Sequence, residues 1–432
     1  MNRNIQPEIK PLEQLTVCNP EVITMANGIE LKYIKTYQTD IIRLDFMFKG
    51  GQWIQEIPLQ AFYAFKQLKE GTQSFKGEDI AERLDFYGAT LETSSNMSYS
   101  TISLCCLKKH LEHVVPILQS ILQEPTYAQD KLSIALTQGK AAYAASLQSV
   151  GTQCRQLFSK NLYGKGHPMA QYPSLQNYDI LTPEDLLRFR NMNICSDNCK
   201  MFLTGTYDEN ITRIVAETFG QNKWGGNGGK FIGYASFAIP QPEHNRFSYR
   251  MNNKTVQAAI RVGRVFPDRR HKDFTTLNVM STILGGYFGS RLMSNIRETK
   301  GYTYDISSVI YQLPHNTTFI ISTETPDEYT ECVIEEIHKE MLRLSNEPVS
   351  SEELANVKNY LSGHICRNCE TGLNTSSMLM RLDVTNRTTN DVIEDFERMK
   401  RITPEDIMKC ASSYLHRKSM IECVAGYSEN SR

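Results

Sequence analysis

A six-residue string that occurs twice constrains this chain more than any other feature. Thr182-Pro183-Glu184-Asp185-Leu186-Leu187 returns as Thr403-Pro404-Glu405-Asp406-Ile407-Met408, at an offset of 221 in a chain of 432 residues. Each copy reads as a helix start: Thr caps the free N–H groups, Pro suits the first helical position, and the acid three residues after Thr completes a capping box at the positive helix end. At the same offset Met201-Phe202-Leu203-Thr204-Gly205 answers Glu422-Cys423-Val424-Ala425-Gly426, a short strand ending in Gly. Half the chain therefore repeats the other half.

Earlier positions fit the same division. Ile42, Leu44, Phe46 and Phe48 alternate with Arg43, Asp45, Met47 and Lys49 in the pattern of a half-buried strand, and Val256, Ala258, Ile260 and Val262 are the counterpart. A helix follows in each half, carrying Leu59, Phe62, Phe65 and Leu68 in the first and Phe274, Leu277, Met280 and Ile283 in the second. Strand pairs come next, Thr90 to Tyr99 with Thr101 to Leu107 and Tyr302 to Tyr311 with Thr317 to Thr325. An amphipathic helix closes each series, marked by Val114, Val115, Leu118 and Leu122 and by Val333, Ile337 and Met341. The expected fold is α+β, with two homologous domains that each place helices on one face of an antiparallel-rich sheet. Residues 1–222 and 247–432 form the domains. The Gly-rich stretch 223–246 links them, and its Gly225-Gly226-Asn227-Gly228-Gly229 cluster is no phosphate loop, since Lys230 has Trp224 six residues before it and Phe231 after.

Charge and composition exclude several classes. Forty-seven Lys and Arg against 48 Asp and Glu leave a net charge of −1, which draws the chain to no nucleic acid. No apolar run approaches the roughly 18 residues of a membrane span. Met1 to Leu12 lacks the apolar stretch of a secretory leader, so a cytoplasmic location is expected. Eleven scattered cysteines fit free thiols in a reducing compartment.

Two strings invite a metal or redox reading and have plainer ones. His110-Leu111-Glu112-His113 spaces its imidazoles three apart, whereas helical zinc motifs place them at i and i+4, so a solvated helix start is expected. Cys366-Arg367-Asn368-Cys369, after His364, is the chain's single C-x-x-C and sits in a continuing helix, which favours a structural role.

The most specific signal is the segment from Leu284-Gly285-Gly286 through Ser290-Arg291-Leu292 and on to Ile296-Arg297-Glu298-Thr299-Lys300-Gly301-Tyr302-Thr303-Tyr304. It resembles the C-terminal signature of the pitrilysin (insulinase) metallopeptidase family, and the resemblance extends from about Asn27-Gly28 to Gly426. Active relatives carry H-x-x-E-H on the first helix, shortly before a Gly-Thr turn. Aligning that turn with Gly71-Thr72 puts Phe62 and Lys66 at the two histidine positions and Phe65 at the glutamate. The third ligand of the family is a Glu further along, yet none occurs between Glu124 and Glu184. No catalytic or metal-binding residue and no cofactor is thus expected on this chain alone.

The resemblance implies the zinc-less subunit of a heterodimeric zinc metallopeptidase, with zinc on an H-x-x-E-H-bearing homologous subunit. An extended peptide would be the substrate, and Arg297 and Tyr304 would contact it in trans. The alternative is a non-proteolytic peptide-holding or assembly protein, a homodimer that retains the fold.

Overall fold

The capping boxes read from sequence organise both halves of the computed structural model, which describes residues 11–37, 40–252 and 255–426. Thr182 accepts from the Asp185 amide and Thr403 from the Asp406 amide, with each acid reaching back to its threonine N–H. The first half runs β1 (Glu21–Thr24), β2 (Glu30–Lys35), β3 (Ile41–Lys49), α1 (Gln60–Lys66), α2 (Gly77–Phe86), β4 (Thr90–Ser95), β5 (Tyr99–Leu107) and α3 (Leu111–Gln123). It continues through α4 (Gln129–Ser146), α5 (Val150–Tyr163), α6 (Asn177–Ile180), α7 (Pro183–Asn193), β6 (Cys199–Gly205) and α8 (Glu209–Phe219). The second half runs β7 (Arg246–Arg250), β8 (Gln257–Phe266), α9 (Phe274–Ser281), β9 (Ile306–Gln312), β10 (Thr317–Pro326) and α10 (Thr330–Asn346). After these come α11 (Ser351–Glu370), α12 (Gly372–Val384), α13 (Thr389–Arg401), α14 (Pro404–Tyr414) and β11 (Ile421–Gly426).

The two sheets share one topology. Strand order is β1-β2-β6-β3-β5-β4 in the first and β7-β11-β8-β10-β9 in the second. The pairs β2–β6 and β7–β11 are parallel and the others antiparallel, with Ile42 opposite Cys106 in the first sheet and Ile260 opposite Thr323 in the second. The α+β class is as expected from sequence.

Burial departs from the sequence reading at two places, for physical reasons. On β3 the polar-side residues Asp45 and Met47 are fully buried, because α12 of the second half covers that face; Met47 joins the core of Leu379 and Leu382. On α1 the residues at three-residue spacing drift around the helix, since three residues fall short of a 3.6-residue turn. Phe62 ends up 44% exposed, while Ala61, Tyr63, Ala64 and Phe65 face the core. Two smaller differences lie in the second half: Val256 is exposed just before β8, and Tyr302 to Asp305 precede β9 rather than belonging to it.

The halves close each other's sheets reciprocally. Helix α12 lies on β2, β3 and β6, and helix α5 lies on β8 and β11. Ser376 of α12 donates to Asp45 Oδ2 at 2.8 Å, and Asp383 accepts from Lys32 at 2.6 Å and Lys200 at 2.9 Å. In return Cys154 and Phe158 of α5 pack with Ala259, Cys423 and Ala425. Each crossing helix starts near a glycine at the repeat offset, Gly151 and Gly372. A Cβ on Gly372 would stand 2.4 Å from Thr36 Cγ2 and 2.8 Å from Thr204 Cγ2, whereas one on Gly151 would meet the movable Glu324 carboxylate. Gly372→Ala is therefore expected to cost about 1–3 kcal/mol by urea denaturation and Gly151→Ala less; equal losses would contradict this packing.

The segment between the sheets is strapped down. Gly226 and Gly228 lie flat on the end of α7, where a Cβ would come within 2.0 Å of the Asn191 and Met192 carbonyls. Further along, Trp53 Nε1 donates to Ala235 O, and His315 bonds the Tyr234 carbonyl. No helix of the described residues is long and apolar enough to cross a membrane, and all eleven cysteines are free. Residues 1–10, most of the stretch behind the leader argument, lie outside the described residues.

Candidate functional site

Helix α1 carries Phe62, Phe65 and Lys66, the residues that the sequence alignment sets against H-x-x-E-H, on a well-fixed scaffold. Gln60 clamps the helix start, donating to Asp185 O at 2.9 Å and accepting from the Glu56 amide. Phe62 and Lys66, four residues apart, do share the exposed face, so the geometry for two ligands on one side is kept while the chemistry is gone. The Lys66 ammonium sits 5.6 Å from the Phe62 ring centre and 5.7 Å from that of Tyr63. Phe65 is buried against Phe48.

Helix α4 packs beside α1, and its single carboxylate, Asp130, is exposed in the first turn. The Tyr63 hydroxyl donates to Ala135 O at 3.2 Å and fills the space a Cβ on Gly139 would need. Among the described residues no group of three or more His, Cys, Asp or Glu is placed to hold a metal ion. A ring, a ring and a cation offer zinc no lone pair, and the residues present do not fit it.

The second-half signature divides into a buried frame and an exposed pair. Its backbone is π-helical over Thr282–Gly286 and Met293–Thr299. Arg291, its side chain 11% exposed, forks onto Glu353 at 2.8 and 2.9 Å. Asn295 donates to Glu336 at 3.0 Å and Glu340 at 2.8 Å. Desolvation pushes the Glu336 carboxyl up, but hydrogen bonds from Lys300, Lys339 and Asn295 prevail and hold it down to about 2. The Glu336 carboxylate therefore stays ionised at neutral pH.

On that frame Arg297 and Tyr304 come together. Gly301, at φ 66, turns the chain, and Thr303 anchors it by donating to Glu324 O at 2.6 Å. Tyr304 then returns over the helix, 84% exposed, its ring centre 4.9 Å from Arg297 Cζ. Phe288, 62% exposed, lies 4.9 Å away from the same carbon. The guanidinium is thus held between two rings, with no hydrogen bond or ion pair among the described residues. Cation–π contact at exposed sites is worth about 0.5–1 kcal/mol per ring, which orients the fork yet leaves its donors free. Such an arrangement can bind carbonyls and donate a hydroxyl to developing negative charge. Phe288 escaped the sequence reading, because nothing in its spacing from Arg297 signals a ring contact across a turn.

The other histidine and cysteine strings have structural roles. His113 stacks on Tyr87 at 4.9 Å and His110 lies tilted at 5.3 Å. Cys366 and Cys369 sit on α11 against the second core, with Cys369 Sγ 3.6 Å from Met378 Sδ. Burial pushes the Cys369 thiol up, away from a reactive thiolate.

The family model of the Peptidase M16 inactive domain matches residues 181–361. The "Uncharacterized zinc protease YmxG" of Bacillus subtilis is 21% identical over 315 residues, 72% of this chain and 74% of that protein. The "Non-peptidase homolog YmxG" of Helicobacter pylori is 22% identical over 332 residues, 73% of each chain. In fold the chain is similar to a crystal structure of a peptidase M16 inactive domain from Pseudomonas fluorescens, with TM-score 0.85, 20% identity, and coverage of 95% of this chain and 99% of that one. The chain is thus similar to the peptidase M16 inactive domain, in sequence over residues 181–361 and in fold over nearly its whole length.

Proposed function

We propose that this chain is the zinc-less half of a two-subunit peptidase, closing the chamber of an H-x-x-E-H-bearing homologue. Bond cleavage belongs to that partner, whose metal supplies the activated water. This chain's part is to bind and orient an extended peptide and to stabilise charge on the carbonyl under attack. The observation that carries the reading is the Arg297 guanidinium, fixed between Phe288 and Tyr304 with its donors unengaged. Among the described residues the side chain makes no ion pair, which leaves its donors available to peptide carbonyls.

A second reading is a non-proteolytic peptide-holding or assembly protein, a homodimer. It is favoured by one relative's name, that of a non-peptidase homologue. Hydrolysis of a fluorogenic peptide by the H-x-x-E-H homologue from the same organism separates the two. A large gain on adding this chain at equimolar amount, abolished by Arg297→Ala, is expected. No gain and no stable complex on mixing would leave the holding protein.

A further inference from the structure

A cavity of about 640 Å³ opens where both halves and the strap meet, and neither Arg297 nor Tyr304 lines it. Six basic side chains face it, Lys49, Lys200, Lys230, Arg269, Arg270 and Arg387, against three acidic ones, Glu30, Asp197 and Asp268. Those acids are already engaged: Glu30 with Lys32 and Lys200, Asp197 with Lys223, Asp268 with Arg270. Lys49 reaches the Asn386 side-chain oxygen at 3.3 Å and Arg269 reaches Gln312 Oε1 at 3.0 Å, and neither meets a carboxylate among the described residues.

Two donors are buried without partners, Arg269 Nε and Arg387 Nη1. Burial, with Arg387 close by, holds the Arg269 guanidinium down to about 10, and burial together with Lys200 lowers Lys49. Crowded cations with orphaned donors are destabilising unless an anion completes the site. Lys200 is also paired with Asp383 and Arg387 with Asp395, so Lys49, Lys230 and Arg269 are the cations of this wall without a carboxylate among the described residues, and a single negative charge would not match all three. Planar arginine forks and lysine point charges together suit phosphate oxygens.

We propose that this crevice binds a small molecule bearing a di- or triphosphate group, held by Lys49, Lys230 and Arg269. Phe231 and Tyr234, whose ring centres lie 4.8 Å apart on the cavity wall, offer an apolar face for a nucleoside base. Because Lys49 belongs to the first half, Lys230 to the strap and Arg269 to the second half, the ligand would tie all three together.

Calorimetric titration of the full chain with sodium tripolyphosphate, and separately with ATP, tests this. Saturable one-to-one binding is expected, weakened about tenfold or more by Lys49→Ala with Lys230→Ala. The control pair Lys69→Ala with Lys160→Ala, exposed and away from the cavity, should leave it unchanged. Tighter binding of ATP that Phe231→Ala removes would assign a nucleoside to the aromatic wall, and equal affinities would assign the phosphate chain alone. Absence of saturable binding, equal binding of sulfate, or equal effects of the two lysine pairs would overturn the proposal.

Discussion

Replacing Tyr304 by Phe is expected, on the proposed function, to lower kcat of the mixed two-subunit peptidase by about 10²-fold while leaving KM and complex affinity nearly unchanged. The substitution removes one oxygen. The ring stays, so the contact that orients Arg297 at 4.9 Å persists, and the hydroxyl of this 84% exposed residue contributes to no hydrogen bond among the described residues. Folding and assembly therefore have little to lose. A donor aimed at charge that develops only in the transition state is worth about 10²–10³ in rate, and its removal acts on kcat rather than on ground-state binding. Arg297→Ala should differ in kind. It removes a fork able to bind substrate carbonyls at every stage, so KM should rise as well. Steady-state kinetics of the mixed enzyme decide the matter, and an unchanged kcat for Tyr304→Phe would eliminate the hydroxyl from the chemistry.

What could be read in the sequence was local, and what was missed needed a neighbour from the other half. The capping boxes at Thr182 and Thr403 depend on residues three positions apart, and both formed as written. Arg297 and Tyr304, seven positions apart, were named from one signature, whereas their contact with each other appeared only in the structure. Asp45 looked like the solvent side of a strand, yet it is buried by a helix that starts more than three hundred residues later. The core role of Tyr63 was hidden because its space is shaped by Gly139 on α4. Absence of the zinc ligands was the most secure reading, since it rested on which residue types are missing and not on where they fold.

Asp45→Ala is expected to destabilise the fold more than Gly372→Ala does, lowering stability by about 3–5 kcal/mol in urea denaturation. The carboxylate is fully buried and accepts from Arg43 Nε at 2.8 Å, Ser103 Oγ at 2.5 Å and Ser376 Oγ at 2.8 Å. Alanine would leave the partly exposed Arg43 guanidinium without its partner and the two buried hydroxyls of Ser103 and Ser376 without this acceptor. Ser376→Ala removes only the bond that crosses between halves and should cost about 1 kcal/mol. Asp45→Asn keeps the shape and loses the charge, so it should fall between the two. The distribution of the damage is as informative as its size. Since α12 closes the first sheet and α5 closes the second, loosening at Asp45 should reach β8 and β11 as well as β3. Hydrogen exchange followed by mass spectrometry should therefore record lost protection in both sheets. Loss confined to the first sheet would mean that the halves unfold independently and that the exchanged helices pack without coupling them.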